Sequence, residues 1–121
     1  MSINILAVDD SRTMRNLIKS TLEAAGISTH LAEDGVHGLE VLDGLEPDAI
    51  ITDINMPNMD GFGFFDGVRA QDNHKSTPIL ALTTESAPEM KSRARAAGAT
   101  GWVVKPFDPE KLVRALRMIA G

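Results

Sequence analysis

The pattern of apolar and polar positions along the chain predicts five strands, each followed by a helix. Short continuous apolar runs are typical of strands that are buried on both faces, and they predict strands at 3–8, 49–53, 79–82 and 101–104. The segment 28–32 is more polar, which predicts a second strand at an edge of the sheet. The third strand stands out because its apolar run ends directly in a carboxylate, Asp53.

The segments between these strands have apolar residues at helical spacing or residues that cap helices. The first helix is predicted to bury one apolar face, made by Met14, Leu17, Ile18, Leu22 and Ala25. The later helices are predicted to begin at Asp34, at Asp60, at a capping box from Ser86 to Glu89, and at Asp108 with Pro109. Gly26 and Gly98 are expected to end helices in a left-handed conformation.

Strands that alternate with helices predict an α/β fold. We expect a five-stranded parallel sheet with helices on both faces and right-handed crossovers. The polar second strand favours the strand order 2-1-3-4-5, because this order leaves strand 2 at an edge. The 121 residues suit a single domain, 1–121, and we expect no effector domain after the fifth helix.

Composition and charge exclude several classes of function. The chain is 43% apolar and 24% charged, which is ordinary for a soluble globular protein, and its net charge of -5 argues against nucleic acid or an anionic membrane as a partner. It has no basic and apolar leader and no apolar run of ~20 residues, so we expect a cytoplasmic protein. Without cysteine there is no thiolate metal site, and the histidines (His30, His37 and His74) are expected at the surface or at strand edges.

Chemically reactive side chains follow four of the five predicted strands. Asp9 and Asp10 follow strand 1, Asp53 ends strand 3, Thr83 ends strand 4, and Lys105 follows strand 5. The carboxyl ends of parallel strands form the ligand-binding edge of such a sheet. Two carboxylates ~4 Å apart repel by about 4 kcal/mol at an effective dielectric of 20, so three of them need a compensating cation.

Mg²⁺ prefers oxygen ligands of this kind, and beside a lysine and a hydroxyl it suits phosphoryl transfer with Asp53 as the nucleophile. Taken one at a time, these residues also have structural explanations. Asp10 could cap the first helix, Thr83 could be a turn residue, and Lys105 could be a solvated charge. The Lys105–Pro106 bond is a candidate for a cis peptide.

The motifs together resemble the receiver domain of two-component response regulators, and the resemblance spans essentially the whole chain. It rests on Asp9-Asp10, Asp53-Ile54-Asn55-Met56-Pro57, Met59-Asp60-Gly61, Thr83 and Lys105-Pro106-Phe107. The resemblance implies the flavodoxin-like fold. The pair formed by Asn55 and Glu85, two residues after Asp53 and Thr83, resembles the stand-alone chemotaxis type.

The resemblance implies that Asp53 accepts a phosphoryl group from the phosphohistidine domain of a sensor histidine kinase of the chemotaxis CheA type. Asp10, Asp53 and the backbone carbonyl of Asn55 would bind Mg²⁺ directly, and Asp9 would act through water. In the same way, Thr83 and Lys105 would contact the phosphoryl oxygens.

The resemblance also assigns residues to regulation and output. Asn55 and Glu85 would tune dephosphorylation. Trp102 stands where the family usually has a switch Tyr or Phe, although it could instead be an ordinary core or surface tryptophan. The surface of helix 4, strand 5 and helix 5 would bind a partner, with Lys91, Arg95, Trp102, Lys111 and Arg114 as candidates, although charged helix faces are more often simply solvated.

The function that the resemblance implies is a phosphorylation-activated signalling switch, a monomer that binds the flagellar motor switch protein in chemotaxis. It would not be a turnover enzyme, but it would catalyse its own phosphorylation and dephosphorylation. A phosphate sink or a phosphorelay intermediate is an alternative. A haloacid-dehalogenase-like phosphatase would need a second Asp where Asn55 stands, and a flavin carrier is disfavoured because Asp9-Asp10-Ser11 would repel the FMN phosphate.

Overall fold

The structure is a computed structural model that describes residues 3–54, 59–84 and 88–120, without the side chain of Pro88. Five strands alternate with five helices within these residues, as the sequence predicts. They are β1 (Asn4–Val8), α1 (Arg12–Ala24), β2 (Ser28–Ala32), α2 (Gly35–Asp43), β3 (Ala49–Asp53), α3 (Gly61–Arg69), β4 (Ile79–Thr83), α4 (Pro88–Ala96), β5 (Gly101–Val104) and α5 (Pro109–Ala120).

The strands form one parallel sheet in the order β2-β1-β3-β4-β5, which confirms the predicted fold and strand order. Every residue of β3 and β4 is buried, whereas β5 is only partly buried because it lies at an edge. Two apolar clusters cover the two faces of the sheet. One packs α2, α3 and α4 through Leu42, Phe64, Phe65 and Ala94, and the other packs α1 and α5 through Ile18, Leu22, Leu112 and Leu116.

Side chains cap the helices as their sequence positions predict. Asp34 and Asp60 accept hydrogen bonds from the amides of His37 and Gly63, both at 2.8 Å. Asp108 accepts from the amide of Glu110 at 2.9 Å. Gly26 and Gly98 have φ angles of 80° and 109°, which confirms the predicted left-handed conformations. The capping box that begins at Ser86 lies outside the described residues.

Two expectations about burial are wrong. Leu17 is 47% exposed, because it lies at the margin of the apolar stripe of α1 rather than at its centre. His74 is only 2% exposed, because the polar segment after α3 forms a short 3-10 turn at Asp72–His74 that folds back on the helix. The Nδ1 atom of His74 lies 3.1 Å from the hydroxyl of Thr77.

The guanidinium of Arg69 joins three segments at the amino-terminal edge of the sheet. It donates hydrogen bonds to the carbonyl of His74 at 2.8 Å, of Thr77 at 2.7 Å and of Gly98 at 2.6 Å. Gly98 must be glycine, because its φ angle is positive and a Cβ there would lie 2.7 Å from Nε of Arg69. We call this arrangement the Arg69 clamp. It ties the end of α3 to the segments that lead into β4 and β5.

No helix among the described residues combines the length and the apolar character needed to cross a bilayer.

Candidate functional site

Three carboxylates meet at the carboxyl ends of the two central strands, β1 and β3. Asp9 is fully buried, Asp53 is 6% exposed, and Asp10 lies at the surface. One carboxylate oxygen from each of the three lies within 4.8 Å of the other two. The strand order produces this cluster, because β1 and β3 are neighbours although 40 residues separate them in the chain.

Lys105 reaches this cluster from the end of β5. Its Nζ lies 2.8 Å from Oδ2 of Asp9 and 3.3 Å from Oδ2 of Asp53, and its side chain is only 12% exposed. Its backbone amide donates to the carbonyl of Thr83 at 2.7 Å, and its peptide bond to Pro106 is cis. The interpretation of Lys105 as a solvated surface charge is therefore wrong.

Hydrogen bonds hold both the side chain and the backbone of Asp9 in place. Its Oδ1 accepts from the amide of Ser11 at 2.9 Å, while its Oδ2 accepts from Lys105. Its own amide donates to the carbonyl of Ala32 at 3.1 Å, and its carbonyl accepts from Arg15 at 2.7 Å. Both carboxylate oxygens of Asp9 therefore already accept hydrogen bonds from the chain itself.

Ser11 is the residue that caps α1. Its hydroxyl accepts from the amide of Met14 at 3.2 Å, so the interpretation of Asp10 as the helix cap is wrong. The sequence offered a signal for this cap, since serine is a preferred residue at the start of a helix. The carboxylate of Asp10 is therefore left for the cluster.

The start of α3 packs directly against the backbone of Asp53. Gly61 donates its amide to the carbonyl of Ile54 at 2.8 Å, and a Cβ on Gly61 would lie 2.6 Å from the carbonyl oxygen of Asp53. The amide of Ile54 in turn donates to Oδ1 of Asp53 at 2.8 Å. The Met59-Asp60-Gly61 motif thus brings a capped helix up against the aspartate, and the backbone fixes one of its carboxylate oxygens.

The electrostatics of the site favour a bound cation. Burial raises the pKa of Asp53 above its usual 3.8; Lys105 opposes this rise and Asp9 adds to it. Burial by itself would lower the pKa of Lys105, but the hydrogen bond and charge of Asp9, followed by those of Asp53, raise it overall. The ammonium of Lys105 is thus firmly protonated, yet one positive charge cannot neutralise three carboxylates.

The clustered carboxylates are close enough together to hold a metal ion, and they offer the hard oxygen donors that Mg²⁺ prefers. This ion usually keeps several waters and is bound by one or two protein carboxylates together with phosphate oxygens. The exposure of Asp10 beside two buried acids leaves one side of the cluster open to such a ligand.

Thr83 is the predicted site residue on β4, the strand next to β3. Thr83 is fully buried at the end of β4, one residue beyond Leu82, which pairs with Asp53. Asn55 and Glu85 lie outside the described residues.

The predicted partner surface falls into two parts. Lys91, Arg95 and Trp102 line one small cleft of about 60 Å³ between α4 and β5. Trp102 is half-buried and packs against the apolar cluster on the α4 side of the sheet. Lys111 is exposed on α5, whereas Arg114 lines a separate groove between α5 and the end of α1.

Comparison with known proteins agrees with this geometry. Residues 5–117 match the family model of the response regulator receiver domain. The chain is 40% identical over 121 residues to the chemotaxis protein CheY1 of Helicobacter pylori, with 98% of each chain covered. Its fold is similar to that of the chemotaxis protein CheY4 of Vibrio cholerae, with 46% identity, a TM-score of 0.95, and coverage of 98% and 99% of the two chains.

The fold is also similar to the receiver domain of a sensor histidine kinase from Pseudomonas aeruginosa. The two are 29% identical, with a TM-score of 0.92 and coverage of 100% and 99% of the two chains. The structure of that protein holds a magnesium ion coordinated in its active site cleft.

Proposed function

The chain belongs to the response regulator receiver domain family, and from this premise we propose that Asp53 is the phosphoacceptor of a phosphorylation-activated signalling switch. The observation that carries the proposal is the contact between Nζ of Lys105 and the buried carboxylate of Asp53 at 3.3 Å, within a cluster of acids that suits a divalent cation. The donor would be the phosphohistidine of a sensor histidine kinase of the chemotaxis CheA type.

In the proposed reaction, a carboxylate oxygen of Asp53 forms a bond to phosphorus as the bond from phosphorus to the imidazole nitrogen breaks. The imidazole leaves with the electron pair. The amide of Ile54 holds Oδ1 of Asp53 at 2.8 Å, which fixes the direction of the carboxylate. Lys105 then lies where it stabilises negative charge on the phosphoryl oxygens, and its ammonium also limits the rise in the pKa of Asp53.

Asp10 and Asp53, together with the backbone carbonyl of Asn55, would hold Mg²⁺, and Asp9 would contact it through water. When bound, the ion supplies positive charge that neutralises the phosphoryl oxygens. Asp9 would have a second role, because its Oδ2 lies 2.8 Å from Nζ of Lys105 and holds that side chain in position.

The output of the switch would depend on Thr83, whose hydroxyl would contact the phosphoryl group, and on Trp102, whose side chain would respond to that contact. The family's regulatory positions, Asn55 and Glu85, would tune dephosphorylation. Thr83 and Trp102 lie on adjacent strands, β4 and β5, which offers a short path from the site to the cleft lined by Lys91 and Arg95.

We further propose that the protein acts in chemotaxis, since relatives that match over the full chain are named chemotaxis proteins. Its partner would be the flagellar motor switch protein, bound at the α4–β5–α5 surface. The protein would act as a monomer in the cytoplasm, without turnover of an external substrate. A role as phosphate sink or phosphorelay intermediate would use the same chemistry but not this partner.

The test is to incubate the protein with Mg²⁺ and acetyl phosphate, a small phosphodonor, and to measure the intact mass. We expect an acid-stable, base-labile phosphate adduct on the wild type and none on Asp53→Asn. Asp66→Asn is the matched control, because it removes an exposed carboxylate on α3 at a position outside the cluster. Equal labelling of Asp53→Asn and the wild type would refute the proposal.

A further inference from the structure

Charge is distributed very unevenly along the chain. Ten of the 17 acidic residues and none of the 12 basic residues lie between positions 20 and 68, the segment that contains β2, α2, β3 and most of α3. In contrast, positions 91–117 contain seven of the basic residues and only two acidic ones. The side of the molecule formed by α2 and α3 is thus acidic, and the side formed by α4, β5 and α5 is basic.

A groove of about 470 Å³ lies on the acidic side, between α2 and the residues that flank α3. Its residues are Val36, Leu39, Glu40, Asp43, Met59 and Gln71. Val36, Glu40 and Asp43 are four and three residues apart, so they lie along one stripe of α2. The groove is separate from the carboxylate cluster and from the α4–β5–α5 surface.

The floor of the groove is apolar and accessible. Val36 is 42% exposed, and the side chains of Leu39 and Met59 are partly buried beside it. The exposed carboxylates of Glu40 and Asp43 form the rim on the α2 side. An apolar floor with an acidic rim selects for a ligand that presents apolar side chains flanked by positive charges.

We propose that the α2–α3 groove is a docking site for a basic amphipathic helix of a partner protein. Apolar side chains of that helix would pack between Val36, Leu39 and Met59, and its lysines or arginines would pair with Glu40 and Asp43. A helix suits the site because an amphipathic helix lays its apolar face into an apolar groove, with anchors three or four residues apart. The lack of basic residues from 20 to 68 means that nothing on this segment repels such a partner.

The test uses isotope-labelled protein, NMR spectra and a synthetic amphipathic helical peptide made of leucine and lysine. We expect shifts at Val36, Glu40, Asp43, Met59 and Gln71, and binding that weakens with salt. The same peptide with glutamate in place of lysine should not bind. In the double variant Glu40→Lys with Asp43→Lys, affinity for the lysine peptide should fall by at least about tenfold.

The matched control is Glu23→Lys with Glu110→Lys, which makes the same change in net charge at exposed positions on α1 and α5. This variant should lose less than about threefold, because only long-range attraction changes. An equal loss in both double variants would overturn the proposal, as would shifts confined to Asp9, Asp10 and Asp53. The unliganded protein could also self-associate through the groove, in which case the double variant Glu40→Lys with Asp43→Lys would abolish the self-association. That result would assign the groove to a second copy of the chain and would overturn the proposal.

Discussion

The two ends of the β-sheet differ in how their charged side chains are paired. At the carboxyl end, Asp9 and Asp53 share one ammonium, that of Lys105, and the pKa of Asp53 is raised because burial outweighs this help. At the amino end, the guanidinium of Arg69 donates hydrogen bonds to three backbone carbonyls. The carboxyl end therefore has an excess of negative charge, whereas the guanidinium at the amino end is hydrogen-bonded by the chain itself.

This difference separates function from stability. A site that would bind a cation and a phosphoryl group, as we propose, is not neutral without them, so it carries a cost in the free energy of folding. The Arg69 clamp has no such requirement, because its acceptors are backbone carbonyls of the chain itself. We therefore expect substitutions at the two ends to change stability in different ways, and to depend differently on Mg²⁺ and pH.

The largest expected effect is at the amino end. Arg69→Met should lower the free energy of unfolding by about 3 kcal/mol, because it removes three charge-assisted hydrogen bonds and leaves their carbonyls without this donor. Urea unfolding, with and without Mg²⁺, measures this loss, which should be the same in both conditions. Arg95→Met, at an exposed position on α4, is the control and should change stability by less than about 0.5 kcal/mol. A loss of stability for Arg69→Met no larger than that for Arg95→Met would show that the Arg69 clamp does not stabilise the fold.

Lys105→Met should have the next largest effect, and this effect, unlike that of Arg69→Met, should depend on the presence of Mg²⁺. Without metal it should cost about 2 kcal/mol at neutral pH, because two buried carboxylates lose their ammonium. The loss should shrink in acid, where the carboxylate of Asp53, whose pKa is raised by burial, becomes protonated, and also on addition of Mg²⁺. Urea unfolding in chelator, in Mg²⁺ and at acid pH measures this. A loss that is independent of both would show that Lys105 acts by packing alone.

The pair Ser11→Ala and Asp10→Asn separates helix capping from metal binding. Ser11→Ala should cost about 1 kcal/mol without metal, because α1 loses its cap, and should leave Mg²⁺ affinity nearly unchanged. Asp10→Asn should change metal-free stability by less than about 0.5 kcal/mol and weaken Mg²⁺ binding by at least about tenfold. Denaturation and calorimetric titration measure the two quantities. If the two variants exchange these behaviours, Asp10 is the cap after all.

The smallest expected effect is a gain in stability from Asp53→Asn in the absence of metal, of less than about 1 kcal/mol at neutral pH. Because the folded-state pKa of Asp53 is raised, the folded protein favours the protonated carboxyl. That stabilisation is complete below the unfolded value of 3.8 and is lost as the pH rises through the folded value. The variant should therefore exceed the wild type only above that range. Unfolding curves across pH measure this, and a destabilised variant at neutral pH would contradict the assignment.

The carboxyl end of the sheet could be predicted from the sequence because its reactive side chains belong to residues that end or directly follow apolar strands. Asp9, Asp53 and Lys105 are far apart in the chain, yet the strand order alone brings their strand ends to one edge. The sequence did not reveal that Lys105 lies closer to Asp9 than to Asp53, since that depends on side-chain directions.

The amino end could not be predicted in this way. Arg69 ends α3 in a position where a basic residue is ordinarily a solvated charge or a partner of the helix dipole. Its acceptors are backbone carbonyls, which every residue has, so no side-chain pattern marks them. The burial of His74 escaped prediction for the same reason, because a polar segment that folds back on a helix has the same composition as an exposed loop.

The most direct test of the central claim is to locate the phosphoryl group on the chain. The protein is phosphorylated with acetyl phosphate and Mg²⁺ and reduced with borohydride, which converts an aspartyl phosphate to homoserine; peptide mass spectrometry then locates the change. We expect homoserine at position 53 and unchanged aspartate at positions 9 and 10. Homoserine at either of those positions, with Asp53 unchanged, would contradict it.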